Sequence, residues 1–541
     1  MRIIKNKLLV IGMLITAFLF TSCVNDLNVE PIDPNINTAN KVFKNKEAYK
    51  QALAKLYASY AVSGQTGGGG GSPDIQGIDE GFGNYLRSYW NLQELPTDEA
   101  IMAWDDQTIK DFHWQTWAAN DVFIFAMYSR IIYTVSICNE FIRNVNDKLG
   151  SVSGDFKTDL EHFKAEARFL RALSYWHAID MFGNVPFITE KDKVGAFFPK
   201  QISRSALFDY VVSELLAIEN QLVPAKQNEY ARADQGAAWF LLAKLYLNSD
   251  VYTGKKQYSE VLTYVNKVIA AGYSLEADYA NLFTANNNLS NEIIFPITFD
   301  GQNTQQYGGM TFLLHASNGG GMPLYGIDGG WGGIRTIDNF VSKFNLTKDD
   351  FSSANPQYQG PDKRGMFFFN PENWEWDITN VGTFTQGIGV TKYKNTTSSG
   401  GEAPNAHPTY VSTDFPMFRL GDAYLMYAEA VVRGGAGGDM GTAVGYINDL
   451  RERAYGDNSG NITAGDVDLN FLLNERAREL YWEAHRRTDL IRFGQLTDGD
   501  YVWAWKGKVE DGKQTPAYRN LYPIPASDMN ANPNLKQNTG Y

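Results

Sequence analysis

Apolar residues recur every three to four positions in several stretches of the chain, a spacing typical of amphipathic helices. The longest such stretch covers 163–182 and is followed by Gly183-Asn184 and then Pro186, a sequence that favours helix termination. The same periodicity predicts helices over 205–222, 232–248, 259–271, 422–433, 442–453 and 470–483. The pattern therefore predicts an all-α scaffold made of successive helices.

Within one of these helices, small and large side chains alternate. The segment 237–247 reads AAWFLLAKLYL, and it resembles a tetratricopeptide helix, in which a small residue admits a large one from the neighbouring helix. We expect an α/α superhelix of tetratricopeptide-like helix pairs with few short strands. Plain antiparallel helix pairs are the alternative, because the repeats are degenerate and unequally spaced.

Two long stretches lack this periodicity. Positions 64–111 and 300–416 are rich in Gly, Asn, Asp and aromatic residues, a composition that favours ordered, irregular loops over disorder. We predict that they carry a ligand-binding region, on a helical scaffold covering roughly 41–63, 112–290 and 417–495. All of 41–541 is predicted to form a single domain.

The N-terminus reads as a bacterial export signal. Arg2, Lys5 and Lys7 precede an apolar run over 8–20 that is too short to span a bilayer, and Cys23 follows. The arrangement resembles a lipoprotein signal, which predicts a cleaved leader over 1–22, lipidation of Cys23 and an extended tether over 23–40. An ordinary signal with an incidental cysteine is the alternative. No second apolar run of membrane-spanning length is expected downstream.

Composition narrows the range of partners. The formal charge of −13 disfavours nucleic acid and anionic lipid as ligands, and cleavage of the leader would make the charge more negative. Aromatic residues make up 14% of the chain, enough to supply exposed platforms as well as core packing. Only two cysteines are present, so acylation of Cys23 would leave Cys138 without a disulfide partner.

Motifs for catalysis are missing from the sequence. The six histidines fit neither H-E-x-x-H nor a Cys/His metal cluster, and no G-x-S-x-G elbow or P-loop occurs. We therefore expect no enzyme activity and no cofactor or metal. A glycoside hydrolase remains an alternative, because such an enzyme needs only two carboxylates across a cleft.

Several segments resemble the RagB/SusD family. They are FLRALSYW at 169–176, DMFGNVPF at 180–187, ERAREL at 475–480, RRTDLIRFG at 486–494 and YPIP at 522–525, and they follow the family order over nearly the whole chain. The resemblance implies a surface lipoprotein of the outer membrane that captures glycan and delivers it to a SusC-like TonB-dependent transporter.

Both aperiodic stretches resemble the loops of the starch-binding branch of that family. The matching segments are GSPD at 71–74, DEG at 79–81, ELPTDE at 94–99 and AW at 103–104, then YGG at 307–309, GMP at 321–323 and GW at 330–331. The resemblance implies an α-glucan site made by Asp79, Arg87, Trp104, Gln107, Tyr307 and Trp331. Met102 stands where that branch has a second tryptophan.

The chemistry of these residue types suits a sugar. Aromatic faces stack on the C–H faces of sugar rings, and Arg, Asp and Gln side chains hydrogen-bond with hydroxyl groups. Each residue also has a purely structural interpretation: Tyr307 closing a turn, Arg87 pairing with Asp79, or Gln107 as a solvated polar residue. A different cargo, another glycan or a peptide, is the main functional alternative.

Overall fold

The computed structural model describes residues 43–65, 67 and 72–541. The predicted leader over 1–22, the lipidation site Cys23 and the tether over 23–40 lie outside the described residues, as does Gly71. Contacts divide the chain into two units, Met1–Tyr49 and Lys50–Tyr541. In the described part of the first unit the ring of Phe43 lies 4.8 Å from that of Tyr49.

Helices dominate the described residues, in agreement with the predicted all-α class. In chain order they are α1 Lys46–Ala61, α2 Tyr85–Glu94, α3 Lys110–Trp114, α4 Val122–Leu149, α5 Gly154–Met181, α6 Arg204–Ile218, α7 Gln235–Leu247, α8 Ser249–Thr253, α9 Tyr258–Ala270, α10 Gly309–Ala316, α11 Asp338–Val341, α12 Leu420–Val432, α13 Met440–Tyr455, α14 Leu469–Leu480, α15 Arg486–Arg492 and α16 Ala526–Ala531.

The long helices pack in the order of the chain. Helix α4 packs on α5, α5 on α6, and α6 on α7; farther along, α7 packs on α9, α9 on α12, and α12 on both α13 and α14. Small residues of α7, among them Ala237 and Ala238, are fully buried, and the ring of Phe240 stacks at 4.7 Å on that of Phe418. This alternation of small and large side chains lets neighbouring backbones approach closely.

Side-chain caps fix where several helices begin. The carboxylate of Asp121 accepts hydrogen bonds from the backbone N–H groups of Phe123 and Ile124, both at 2.9 Å, at the start of α4. Asp234 caps α7 in the same way, accepting from Ala237 at 3.1 Å. Each cap satisfies backbone donors that the helix itself leaves unpaired.

Helix α4 corrects the expectation that no apolar run of membrane-spanning length follows the leader. By length and composition it could span a membrane, because it has 28 residues and a window with a mean hydropathy of 1.4. However, 61% of that window is buried inside the fold. The helix therefore has the burial of a core helix, and its apolar character serves packing.

Short antiparallel strands join distant parts of the chain. They are β1 Ile101–Met102, β2 Val185–Pro186, β3 Gln201–Ile202, β4 Ile293–Ile297, β5 Ile334–Arg335, β6 Phe367–Phe368, β7 Gly389–Val390 and β8 Phe415–Arg419. They pair as β1 with β5, β2 with β3, β4 with β8 and β6 with β7. The pairing of β1 with β5 ties the two predicted loop stretches to each other.

A network of buried ion pairs lies where β4, β8 and α14 meet. The guanidinium of Arg419 contacts Glu292 at 2.9 Å and both Glu479 and Glu483 at 2.6 Å. Burial alone would raise the pKa of Glu479, but the charges of Arg453, Arg419 and Arg364 lower that pKa to about 2. The segment 475–480, which carried the family resemblance, therefore contributes buried charges to the interior.

Candidate functional site

The register of β1 and β5 places the first two candidate rings side by side. Ile101 pairs with Arg335 and Met102 with Ile334, and the Ala103 N–H donates to the carbonyl oxygen of Gly333 at 2.7 Å. Trp104 follows at once, and its indole N–H donates to the backbone carbonyl oxygen of Trp331 at 3.1 Å. Residues more than two hundred positions apart in the chain thus become neighbours.

The three predicted aromatic residues form a continuous row. The ring centroids of Trp104 and Trp331 are 6.3 Å apart with planes tilted by 39°, and those of Trp331 and Tyr307 are 6.3 Å apart with a tilt of 49°. The two tryptophans are half-buried, and Tyr307 is 42% exposed. The rings therefore present accessible faces that turn from one residue to the next.

The row continues through residues that the sequence analysis missed. Tyr410 lies 5.5 Å from Tyr307 with a tilt of 56°, and His407 lies 4.6 Å from Tyr410. Burial, and then the neighbouring hydroxyl group of Tyr307, raise the pKa of Tyr410 to about 12, so its phenol stays protonated at neutral pH. Tyr410 is itself buried, so it packs beside Tyr307 and adds no exposed face. We call Trp104, Trp331, Tyr307 and Tyr410 the aromatic arc.

Packing from behind holds the arc in place. His315 is fully buried and stacks on Trp331 at 4.5 Å, while its two ring nitrogens lie 2.5 and 2.8 Å from the carbonyl oxygens of Gly329 and Thr409. A Cβ atom on Gly333 would lie 2.7 Å from the indole of Trp104, so only glycine fits beneath that ring. The orientations of the two indole rings are thus fixed by their packing.

Arg87 lies beside the arc on α2, and its guanidinium is held over aromatic rings. The guanidinium carbon is 4.0 Å from the centroid of Phe312 and 5.9 Å from that of Trp104. Burial lowers the pKa of Arg87 to about 10, opposed by the charges of Asp79 and Asp106, so the group is still a cation at neutral pH. Its buried Nε has no hydrogen-bond partner within the described part of the chain.

The other predicted polar residues take different positions. Asp79 is exposed and accepts hydrogen bonds from the N–H groups of Gly81 and Phe82 at 2.9 and 3.0 Å, so one of its carboxylate oxygens shapes the local turn. Gln107 is exposed on a turn with φ of 39°. Met102 stands where the starch-binding branch has a second tryptophan. It is buried in β1, so it adds no exposed face to the row of rings.

Comparisons with known proteins agree on one family. A family model described as "SusD family" matches residues 291–541, and one described as "Starch-binding associating with outer membrane" matches 85–247. The starch-binding protein SusD of Bacteroides thetaiotaomicron is 36% identical over 96% of this chain and 96% of its own length. The chain belongs to the SusD family. The resemblance noted in the sequence is thereby confirmed, and SusD-family proteins bind carbohydrate and are not catalysts.

Other SusD-family proteins share the sequence or the fold at greater distance. SusD-like protein P25 of Formosa agariphila is 25% identical over 98% of this chain and 99% of its own length. A SusD superfamily protein of Bacteroides vulgatus superposes with a TM-score of 0.69 at 18% identity, covering 92% of this chain and 100% of that one. A laminarin-binding SusD-like protein superposes with a TM-score of 0.65 at 20% identity, covering 92% of this chain and 100% of that one. These likenesses establish the SusD fold for this chain.

Proposed function

We propose that this protein binds a starch-type α-glucan along the aromatic arc and delivers it to a SusC-like TonB-dependent transporter. The observation that carries the proposal is the row of Trp104, Trp331 and Tyr307, whose accessible rings are contributed by two distant loops. The relative named as a starch-binding protein, 36% identical to this chain, supports the choice of ligand.

The geometry suits a bent chain of glucose units. Each of the three accessible rings would stack on the C–H face of one sugar ring, and the successive tilts of 39° and 49° would follow a ligand that curves. The guanidinium of Arg87 supplies N–H groups for the hydroxyls at the edge. Because association itself costs at least about 4 kcal/mol, such an open site should bind weakly and release its cargo readily.

The N-terminal sequence and the family support a location for this function. The apolar run over 8–20 followed by Cys23 fits export and lipidation, and one matching family model is described as associating with the outer membrane. We propose that the protein lies on the outer membrane, held by lipid on Cys23 and facing the cell exterior, where a transporter would receive the glycan. No catalytic step is part of this function.

A second candidate cargo is a different glycan. The laminarin-binding neighbour uses the same fold for that ligand, so the fold by itself does not dictate starch. A peptide cargo fits less well, because the arc offers spaced aromatic faces and one cation where a peptide would need a polar groove.

Affinity electrophoresis separates these options. Gels containing amylopectin should retard the wild-type protein, and Trp331→Ala should remove most of the retardation. The substitution removes the central ring and keeps the backbone carbonyl that binds Trp104. If wild-type protein migrates freely in amylopectin gels and is retarded in laminarin gels, the cargo is the second candidate and not starch.

A matched control and a titration sharpen the result. Trp239→Ala removes a half-buried tryptophan on α7, whose indole N–H donates to Glu219 at 3.0 Å, and it should leave the retardation unchanged. Calorimetric titration with cyclic and linear maltoheptaose should favour the ring, because a curved ligand meets the tilted faces without prior bending. Equal affinity for the two would count against a curved site.

A further inference from the structure

Two clefts flank a tryptophan that the aromatic arc does not use. One has a volume of about 700 Å³ and is lined by Phe351, Phe369 and Trp376, among others; the second, of about 270 Å³, adjoins it. Both are lined by Trp376 and Asp377. The half-buried indole of Trp376 therefore forms a wall common to two open clefts.

The ring of Trp376 is fixed from behind. Its centroid lies 5.1 Å from that of Phe369 at an angle of 86°, and 5.9 Å from that of Phe351. Both phenylalanines are buried, so they support the indole without competing for its exposed face. Backbone hydrogen bonds between Glu375 and the residues Thr385 and Gly387, at 2.9 and 2.8 Å, hold the segment that carries it.

Hydrogen-bonding groups of both kinds surround the ring. Carboxylates on the walls are exposed, and none of them takes part in an ion pair within the described residues; they are Asp338, Asp349, Glu375, Asp377, Glu510 and Asp511. Donors are also present, namely the Lys348 ammonium and the Trp376 indole N–H. A flat apolar face ringed by donors and acceptors matches the two surfaces of a sugar.

We propose that the two clefts around Trp376 form a second binding site, which takes a neutral glycan. The carboxylates exclude uronic or sulfated polymers through like-charge repulsion. A hydroxyl group both donates and accepts hydrogen bonds, so it uses the acceptors and the donors together. The larger cleft falls within the roughly 300–1,000 Å³ that ligand sites usually occupy.

A second site changes how a polymer is held. Once one part of a long glycan lies on the aromatic arc, another part would reach Trp376 at a high effective concentration, which raises the affinity for polymer and leaves that for short oligosaccharides unchanged. That the same α-glucan occupies both sites rests on the proposed function. The second site itself requires only a neutral glycan.

The test uses the full-length protein and four variants in amylopectin gels. Trp376→Ala should weaken the interaction with polymer by roughly threefold to tenfold, while calorimetry with maltoheptaose, which reports the arc, stays unchanged. Trp331→Ala should keep a small residual retardation that the double substitution Trp331→Ala, Trp376→Ala loses. Trp376→Phe keeps an aromatic face and should recover most of the polymer binding that Trp376→Ala loses. A misfolded variant would not recover this binding.

The outcomes distinguish the two proposals. Trp376→Ala that migrates like wild type overturns the second site and leaves the arc intact. Wild type that ignores amylopectin but binds laminarin in a Trp376-dependent way overturns the starch function and keeps the second site. If the Trp331→Ala variant binds no glycan and a lysine-rich peptide binds in a Trp376-dependent way, the ligand of the second site is a peptide.

Discussion

Arg87 is a charged residue buried beside the aromatic arc. Its guanidinium is largely buried over Phe312, and its Nε has no partner within the described residues. A buried donor without a partner carries a free-energy cost of about 1–3 kcal/mol. We propose that a glycan on the aromatic arc would meet the terminal N–H groups of this guanidinium, while the buried Nε stays out of the ligand's reach.

A buried carboxyl pair gives a prediction about pH at the same scale. Burial raises the pKa of Glu94 to about 7, and burial together with Glu94 raises that of Glu99. Groups with a raised pKa in the folded state contribute stability that is complete below their unfolded value, about 4.3, and is lost as the pH rises through the folded value. The free energy of unfolding should therefore fall as the pH rises from about 4.5 to about 7, because of this pair.

The measurement is urea unfolding of wild type and Glu94→Gln at pH 5 and pH 8. Glutamine keeps the acceptor for the His485 N–H, which Glu94 binds at 3.0 Å, and it removes the acidic proton. Wild type should lose stability relative to the variant by about 1–3 kcal/mol over this range. Glu372→Gln, at an exposed position, serves as the control, and parallel pH curves for Glu94→Gln and wild type would contradict the assignment.

Much of the arc could be predicted from single residues, and part of it could not. Trp104, Tyr307 and Trp331 stand out as aromatic residues in Gly- and Asp-rich sequence, and the family resemblance related them across the chain. Tyr410 escaped notice because its place in the arc depends on the fold of 407–410 against Tyr307. The position of Gln107 in the site stays a prediction.

At the scale of elements, helical periodicity located most of the scaffold. The predicted helix over 259–271 is Tyr258–Ala270, and that over 205–222 ends earlier, at Ile218. Helices Tyr85–Glu94 and Gly309–Ala316 lie inside stretches predicted to be irregular. Every residue of each is buried, so their surroundings remove the polar face that periodicity detects.

The ion-pair network leads to a prediction about the packing of β8 on α14. Arg419→Met should lower the free energy of unfolding by about 3–5 kcal/mol, because Glu292, Glu479 and Glu483 would lose a buried counter-charge. Urea denaturation followed by circular dichroism measures the change. Arg143→Met, which removes a more exposed pair with Glu140, should cost about 0–1 kcal/mol. A similar loss for both variants would show that burial of the charges is not the cause.

For the whole molecule, the N-terminal segment decides where the fold operates. If Cys23 carries the lipid, Cys23→Ser should move the protein from the outer-membrane fraction to the soluble fraction, because each buried CH₂ group of an acyl chain contributes about 0.8 kcal/mol to membrane binding. Fractionation and immunoblotting measure the shift, with Cys138→Ser as the control, since that buried thiol lies in α4. Retention of Cys23→Ser in the membrane fraction would contradict lipid anchoring at this residue.

The bond between Trp104 and Trp331 uses the side chain of one residue and the main chain of the other. Any amino acid at position 331 except proline could occupy that backbone and still accept the indole proton. A substitution at position 331 would therefore change the central ring of the arc, and with it the ligand of the proposed function, while the hydrogen bond joining the two loops is kept.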